Sequence, residues 1–214
     1  LTGKVLLAED NPVNQEVARA MMEKLGLTVD VANNGKEALL LIQQQRYDVV
    51  LMDCQMPVMD GYQATKEVRL RQHNTSRRLP IVALTANAMA GDRENCLASG
   101  MDDYLAKPYS IAQLQQTLSR WLQPEPSQPH NDRSTHPPDA IVVKNIEEVA
   151  RSSAINPKHL KQLRELDPSG GMGLAQRILR LYLDSSANAL KQIEQAILTG
   201  DAETLRLAAH SLKS

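Results

Sequence analysis

The stretch DVVLMDCQMPVMDG, residues 48–61, begins as a short aliphatic run and stops at a carboxylate, Asp53. Four more runs of the same length and character occur upstream and downstream: KVLLAE, TVDVA, PIVAL and DYLAK. Amphipathic stretches at about 12–25, 35–45, 62–71, 90–98 and 111–122 lie between and after them. Strand-length apolar runs alternating with helical periods are the pattern of a parallel sheet with helices on both faces. The spacing therefore predicts five strands and five helices over residues 1–122.

Most of these runs end in a reactive polar group. The first ends in Glu9 and Asp10, and others end in Asp53, Thr85 and Lys107. Taken singly, each residue has a plainer explanation: an Asp after an apolar run is usually a turn former, Thr85 a helix cap and Lys107 a solvated loop residue. In a parallel sheet, however, all of them fall at the carboxyl ends of strands, where open α/β folds place their sites. Three carboxylates crowded at one edge repel one another and call for a cation. All-oxygen ligation with room for water and phosphate suits Mg²⁺. One carboxylate could then attack phosphorus while the cation and Lys107 stabilise charge on the transferring oxygens, giving an aspartyl phosphate.

Composition sets outer bounds. The 214 residues allow two small domains. With 24 basic and 25 acidic residues, a net charge of -1 excludes a nucleic-acid surface or a polybasic membrane surface. Cys54 and Cys96 lack paired spacing, so they read as small buried hydrophobes in a reducing compartment rather than as zinc ligands or a disulfide. No apolar stretch approaches the roughly 20 residues of a membrane span. The start at LTGKVLLAED, without an initiator methionine, reads as a piece of a longer protein whose anchor, if it has one, lies upstream.

After residue 122 the composition changes. The segment QPEPSQPHNDRSTHPPDA, 123–140, is rich in proline and has no apolar period, so it reads as a linker, and IVVKNIEEVA, 141–150, stays unassigned. Beyond it Pro157 is a candidate helix start. Leu174, Ile178, Leu181, Leu190, Ile193 and Ile197 mark a long amphipathic helix, and Asp201 after Gly200 reads as the N-cap of another. On that last helix Leu205, Ala208, Ala209 and Leu212 form an apolar stripe, with Glu203, Arg206, His210 and Lys213 opposite. A solvent-facing His210 flanked by Arg206 and Lys213 could attack a phosphoryl group. Lone helical histidines are more often structural, and His73, His130, His136 and His159 keep that reading.

The segments AEDNPVN, VVLMDCQMPVMDGYQAT, PIVALTANAM and MDDYLAKP, in this order, resemble the receiver domain of two-component signalling. That resemblance implies a flavodoxin-like sheet of order 2-1-3-4-5. It also implies Asp53 as phosphoacceptor, and Mg²⁺ held by Glu9, Asp10, Asp53 and the Gln55 backbone carbonyl. Thr85 and Tyr104 would be switch residues, Lys107 the phosphoryl partner, and the Lys107–Pro108 bond cis. Glu9 stands where the family more often has Asp. Two rival chemistries fail on the same residues. A haloacid-dehalogenase-type phosphatase needs a second Asp at position 55, which is Gln, and a dinucleotide fold needs a glycine-rich first turn where AEDNPVN is acidic.

AHSLKS, within a pair of helices joined by a Gly-Asp turn, is similar to the histidine-containing phosphotransfer motif. This implies His210 as a second phosphoacceptor and Lys213 as its electrostatic aid, with Ser214 where the family usually has Gly. The whole reads as a receiver (1–122), a linker with an unassigned segment (123–150), and a truncated phosphotransfer domain (151–214) that is an incomplete all-α bundle. It resembles the tail of a bacterial hybrid sensor histidine kinase without the ATP-binding core. Phosphate would pass from an upstream kinase histidine to Asp53, then to His210 and to a downstream response regulator. In the alternative, phosphorylated Asp53 controls a protein-docking face and His210 is idle. No nucleic acid or direct membrane contact is expected of this fragment, which the reading places in the cytoplasm, with room for a parent anchored in the bacterial inner membrane. The bundle is expected to be unstable alone unless its stripes pack on the receiver or on another chain.

Overall fold

The computed structural model describes residues 1–72, 78–85, 90–122, 166 and 173–213, and within these it leaves the side chains of 90–92 and 210–213 undescribed. The expectations for the linker, for 141–150 and for a helix start at Pro157 lie outside the described residues. So does the orientation of the His210, Leu212 and Lys213 side chains.

Five strands, β1 (Lys4–Ala8), β2 (Thr28–Ala32), β3 (Val49–Asp53), β4 (Ile81–Thr85) and β5 (Asp103–Ala106), form one parallel sheet in the order β2-β1-β3-β4-β5. The helices between and after them are α1 (Pro12–Lys24), α2 (Gly35–Gln44), α3 (Gly61–Gln72), α4 (Ala90–Ala98) and α5 (Ile111–Trp121). All ten elements fall within a residue or two of the expected bounds. This is the flavodoxin-like arrangement, in which β1 and β3 are neighbours and the chain reverses direction across the sheet between them.

Successive residues of each strand point to opposite faces, so each strand feeds two cores. Val5, Leu7, Val49, Leu51, Val82 and Leu84 pack against Ala18 and Met22 of α1 and Leu114 and Leu118 of α5. Leu6, Ala8, Val50, Met52, Ile81 and Ala83 pack against Ala38 of α2, Ala64 and Val68 of α3 and Cys96 of α4. Because β1, β3 and β4 are covered on both faces, their sequences are continuously apolar rather than alternating.

Local chemistry sets where the helices begin. Asn11 Oδ1 accepts the backbone N–H of Val13 at 2.9 Å, with Pro12 at the first helical position. Asp60 Oδ1 accepts the N–H of Gln63 at 2.7 Å and so starts α3. Ser110 and Gln113 form a reciprocal capping box at the start of α5. The turn between β3 and α3 is tight: a Cβ on Gly61 would lie 2.1 Å from the Asp53 carbonyl oxygen, so only glycine fits. Val58 within the same turn has φ 68°.

Two helices follow the receiver fold, α6 (Gly173–Thr199) and α7 (Ala202–Lys213), packed side by side. Gly200 turns the chain at φ 69°, and Asp201 caps α7 by accepting the N–H groups of Glu203 and Thr204 at 3.1 and 3.0 Å, as the sequence predicts. Ala189 and Ala196 of α6 and Ala208 of α7 are buried. Ala209, expected on the apolar stripe of α7, is exposed, because the buried strip of that helix is narrower than the sequence pattern. The first turns of α6 rest on the receiver, where Leu174 and Ile178, with Leu166, pack against Val13, Val17, Ala20 and Met21 of α1 and Ile111 of α5. Among the described residues no helix is long and apolar enough to cross a membrane.

Candidate functional site

The carboxyl edge of the sheet gathers the residues that the sequence marks. β1 runs directly into Glu9, β3 ends on Asp53, β4 on Thr85, and β5 leads into Lys107. Each of Glu9, Asp10 and Asp53 offers a carboxylate oxygen within 4.8 Å of the others. Glu9 and Asp53 are only 1% and 5% exposed, so their charges meet protein groups rather than bulk water.

Lys107 Nζ donates to Glu9 Oε2 at 2.5 Å and to Asp53 Oδ2 at 2.7 Å, bridging β1 and β3 from the end of β5. Burial disfavours its charge, but the Glu9 and Asp53 carboxylates outweigh that cost and hold its pKa above the ordinary lysine value. Burial also pushes the Glu9 carboxyl up to about 6, against the pull of Lys107 and with a further upward push from Asp53. Asp53 Oδ1 accepts the Gln55 backbone N–H at 3.1 Å, which orients the carboxylate from its own turn. The Lys107–Pro108 peptide is cis, as the resemblance implies.

Thr85 is buried at the end of β4, and its carbonyl accepts the Lys107 N–H at 2.8 Å. Tyr104 stands at the rim, 36% exposed, with the Arg93 guanidinium 6.0 Å from its ring centre. The Gln55 side chain is exposed, leaving its backbone as the relevant group. His210 and Lys213 lie on α7, and Arg206, expected beside His210, is engaged with Glu203 at 2.8 Å.

Several neighbours of the site were not singled out by sequence. Asn14 Nδ2 and the Asn11 N–H both donate to Glu9 Oε1, at 3.1 and 3.3 Å, and Gln15 Nε2 donates to the Glu9 carbonyl at 2.6 Å. The start of α1 therefore aims Glu9 at the cluster. A visible signal was the run of amide side chains after the acidic pair in AEDNPVNQ. Cys54 and Cys96, 3% and 1% exposed, are free thiols whose sulfurs lie 3.7 Å apart, linking the residue that follows Asp53 to α4.

Three carboxylates of mixed burial, partly neutralised by one ammonium, form an all-oxygen donor set that fits a hard divalent cation.

Comparison with known proteins agrees with this geometry. The receiver domain of a sensor histidine kinase from Pseudomonas aeruginosa PAO1, crystallised with a magnesium ion in its active-site cleft, superposes with a TM-score of 0.52 at 54% identity, covering 56% of this chain and 98% of that one. A chain from the co-crystal of the Saccharomyces cerevisiae phosphotransfer protein Ypd1 with the receiver domain of its response regulator Ssk1 superposes at a TM-score of 0.52 and 32% identity, covering 55% of this chain and 87% of that one. The sensor protein GacS of Pseudomonas syringae pv. syringae is 45% identical over 119 residues, which are 55% of this chain and 13% of the relative. A probable histidine kinase of Oryza sativa subsp. indica is 39% identical over 151 residues, covering 57% of this chain and 16% of the relative. The chain thus spans about a sixth or less of the curated relatives it matches. Residues 5–119 match the response regulator receiver domain, so the chain belongs to that family, and its receiver is homologous to those of hybrid histidine kinases.

Proposed function

We infer that this chain is a phosphorelay segment in which Asp53 takes a phosphoryl group from a kinase histidine and passes it to His210, and from there to a separate receiver. The observation that carries the reading is the bridge from Lys107 to Glu9 and Asp53 at 2.5 and 2.7 Å beside an acidic triad. An Asp53 oxygen attacks phosphorus, and the bond to the donor's imidazole nitrogen breaks with its electron pair staying on nitrogen. Lys107, already on Asp53, follows the charge onto the new phosphoryl oxygens, and Thr85 at the end of the adjacent strand β4 reaches the same group. Tyr104 moves inward with Thr85. Glu9, Asp10, Asp53 and the Gln55 carbonyl would hold Mg²⁺, which supplies charge neutralisation at the phosphoryl oxygens. That one related receiver was crystallised with magnesium in its cleft supports this choice.

In the second step the His210 imidazole attacks the acyl phosphate, returning Asp53 to a carboxylate, with Lys213 beside the transferred group. The reading rests for this step on the AHSLKS motif and on the capped helix α7 that carries it. The unit 151–214 is then a phosphotransfer domain, and its partners are a kinase core and a downstream receiver. Acetyl phosphate with Mg²⁺ should label the wild-type chain at Asp53 and leave Asp53→Asn unlabelled, and a chelator should abolish labelling. With a kinase-core donor, acid-labile label should appear at His210 and be absent in His210→Gln. Acyl phosphate that forms normally but never yields phosphohistidine would favour the docking-module alternative.

A further inference from the structure

The phosphoryl chemistry uses neither Cys54 nor Cys96, although Cys54 is the residue bonded directly to Asp53. Their sulfurs are in van der Waals contact at 3.7 Å, and both are free thiols. The hydroxyl of Tyr62, a half-buried residue in the first turn of α3, donates a hydrogen bond to the Cys54 sulfur. A cysteine that serves only as a small hydrophobe needs neither a second thiol nor a hydrogen-bond donor against it. The main chain of Cys54 is held on both sides: its N–H donates to the Leu84 carbonyl at 3.1 Å, and its carbonyl accepts the Gly61 N–H at 3.2 Å. The next N–H, of Gln55, orients Asp53 Oδ1 at 3.1 Å. Cys96 rides on α4, which also carries Arg93, 6.0 Å from the ring centre of Tyr104. The sulfur pair therefore connects the turn of the phosphoacceptor to the helix beside a switch residue.

We propose that Cys54 and Cys96 form a redox modification site, which hydrogen peroxide converts to an intrachain disulfide that restrains phosphorylation of Asp53. In the first step one sulfur attacks a peroxide oxygen. The O–O bond breaks, and the departing hydroxide takes the thiol proton and leaves as water, so that a sulfenic acid remains. In the second step the other sulfur attacks the sulfenic sulfur. The S–O bond breaks, and hydroxide again leaves as water with the second thiol proton. Two electrons pass from the thiols to one peroxide. The Tyr62 O–H stands at the pair where an oxygen has to depart. Because the second sulfur is already in contact, this step is intramolecular and outruns capture of the sulfenic acid by a thiol in solution or by a second peroxide. Burial of both sulfurs selects a small, neutral oxidant over a bulky disulfide. Bond formation draws the sulfurs together, and the movement is shared between the end of β3 and α4. Asp53 then shifts against Lys107, and α4 loses the freedom to let Tyr104 move inward. A dithiol reverses the change. The effect on Asp53 rests on its reading as phosphoacceptor, whereas the disulfide does not.

The test treats the dilute full chain with hydrogen peroxide, quenches it in acid, unfolds it and counts its thiols by mass spectrometry, with and without dithiothreitol. The wild type should lose both thiols together, with a mass lower by two hydrogens and the peptides of Cys54 and Cys96 linked, and dithiothreitol should restore it. Tyr62→Phe should reach the same product roughly fivefold more slowly, as expected for the loss of one hydrogen bond. Labelling of Asp53 by acetyl phosphate with Mg²⁺ should be on the order of tenfold slower in the oxidised wild type than in the reduced one and should recover with dithiothreitol. In Cys96→Ser, peroxide should leave the labelling rate unchanged. The reversal by dithiothreitol decides the matter within the wild type alone, whatever the serine does to packing. Thiols lost one at a time, a disulfide formed only between chains, or equal labelling of the oxidised and reduced wild type would overturn the proposal. Failure of the reduced chain to label would instead overturn the functional reading beneath it, and the mass measurement would still stand.

Discussion

Glu9 is the site residue whose charge is most finely set. In the folded chain its pKa is raised from 4.5 to about 6 by burial, so folding takes up a proton between those two values. The contribution of this group is fully present below about pH 4.5 and is lost as pH rises through about 6, a change of up to ~2 kcal/mol in the metal-free chain. Urea midpoints in chelator at pH 4.5 and pH 7 should move less favourably with rising pH in the wild type than in Glu9→Gln; parallel pH profiles would show that burial does not hold this proton. Glu9, Asp53, Thr85 and Lys107 were legible in the sequence because each ends an apolar run, and strand ends in a parallel sheet share one edge. Asn14 and Gln15 were not, because their reach to Glu9 depends on the angle at which α1 leaves β1. That angle comes from the Asn11 cap and Pro12, and no periodicity encodes it.

Elements are held to the site by contacts that tolerate little. A methyl group at Gly61 would overlap the Asp53 carbonyl at 2.1 Å, and the obstacle is backbone. Gly61→Ala should cost about 3 kcal/mol or more and slow acetyl phosphate labelling, since relief requires moving the end of β3. Gly200→Ala meets nothing within 4 Å and carries only the left-handed backbone cost at φ 69°, about 1 to 2 kcal/mol, with labelling unchanged. Chemical denaturation and labelling on both variants check the contrast, and equal effects at the two positions would refute it. The ten receiver elements could be read from sequence because turn residues bound every apolar run. The period of α6 gave its existence but not its partners: 174 and 178 go to α1, 189 and 196 are buried along its length, and Leu179, Leu183, Leu190 and Ile197 remain exposed. Three apolar stripes on one helix look alike in a sequence, and only the fold assigns each one.

At the scale of the whole molecule, protection should follow this uneven packing. The sheet is sealed on both faces, whereas among the described residues α6 packs on the receiver through its first turns. Hydrogen exchange should be slowest in β1, β3 and β4, intermediate in 174–180 and fastest in 190–213. Protection of 190–213 equal to that of the sheet would contradict the picture. The receiver supplies part of an outside surface for α6, and the exchange pattern tests the expectation that the C-terminal helices need one. The two thiols have a different consequence. Cys54 and Cys96 touch across the seam between the central strand and α4, and a reagent in solvent meets neither sulfur while that seam is closed. Their rate of alkylation is therefore a clock for how often α4 lifts from the strand that carries Asp53, and the chain carries this gauge without any added label.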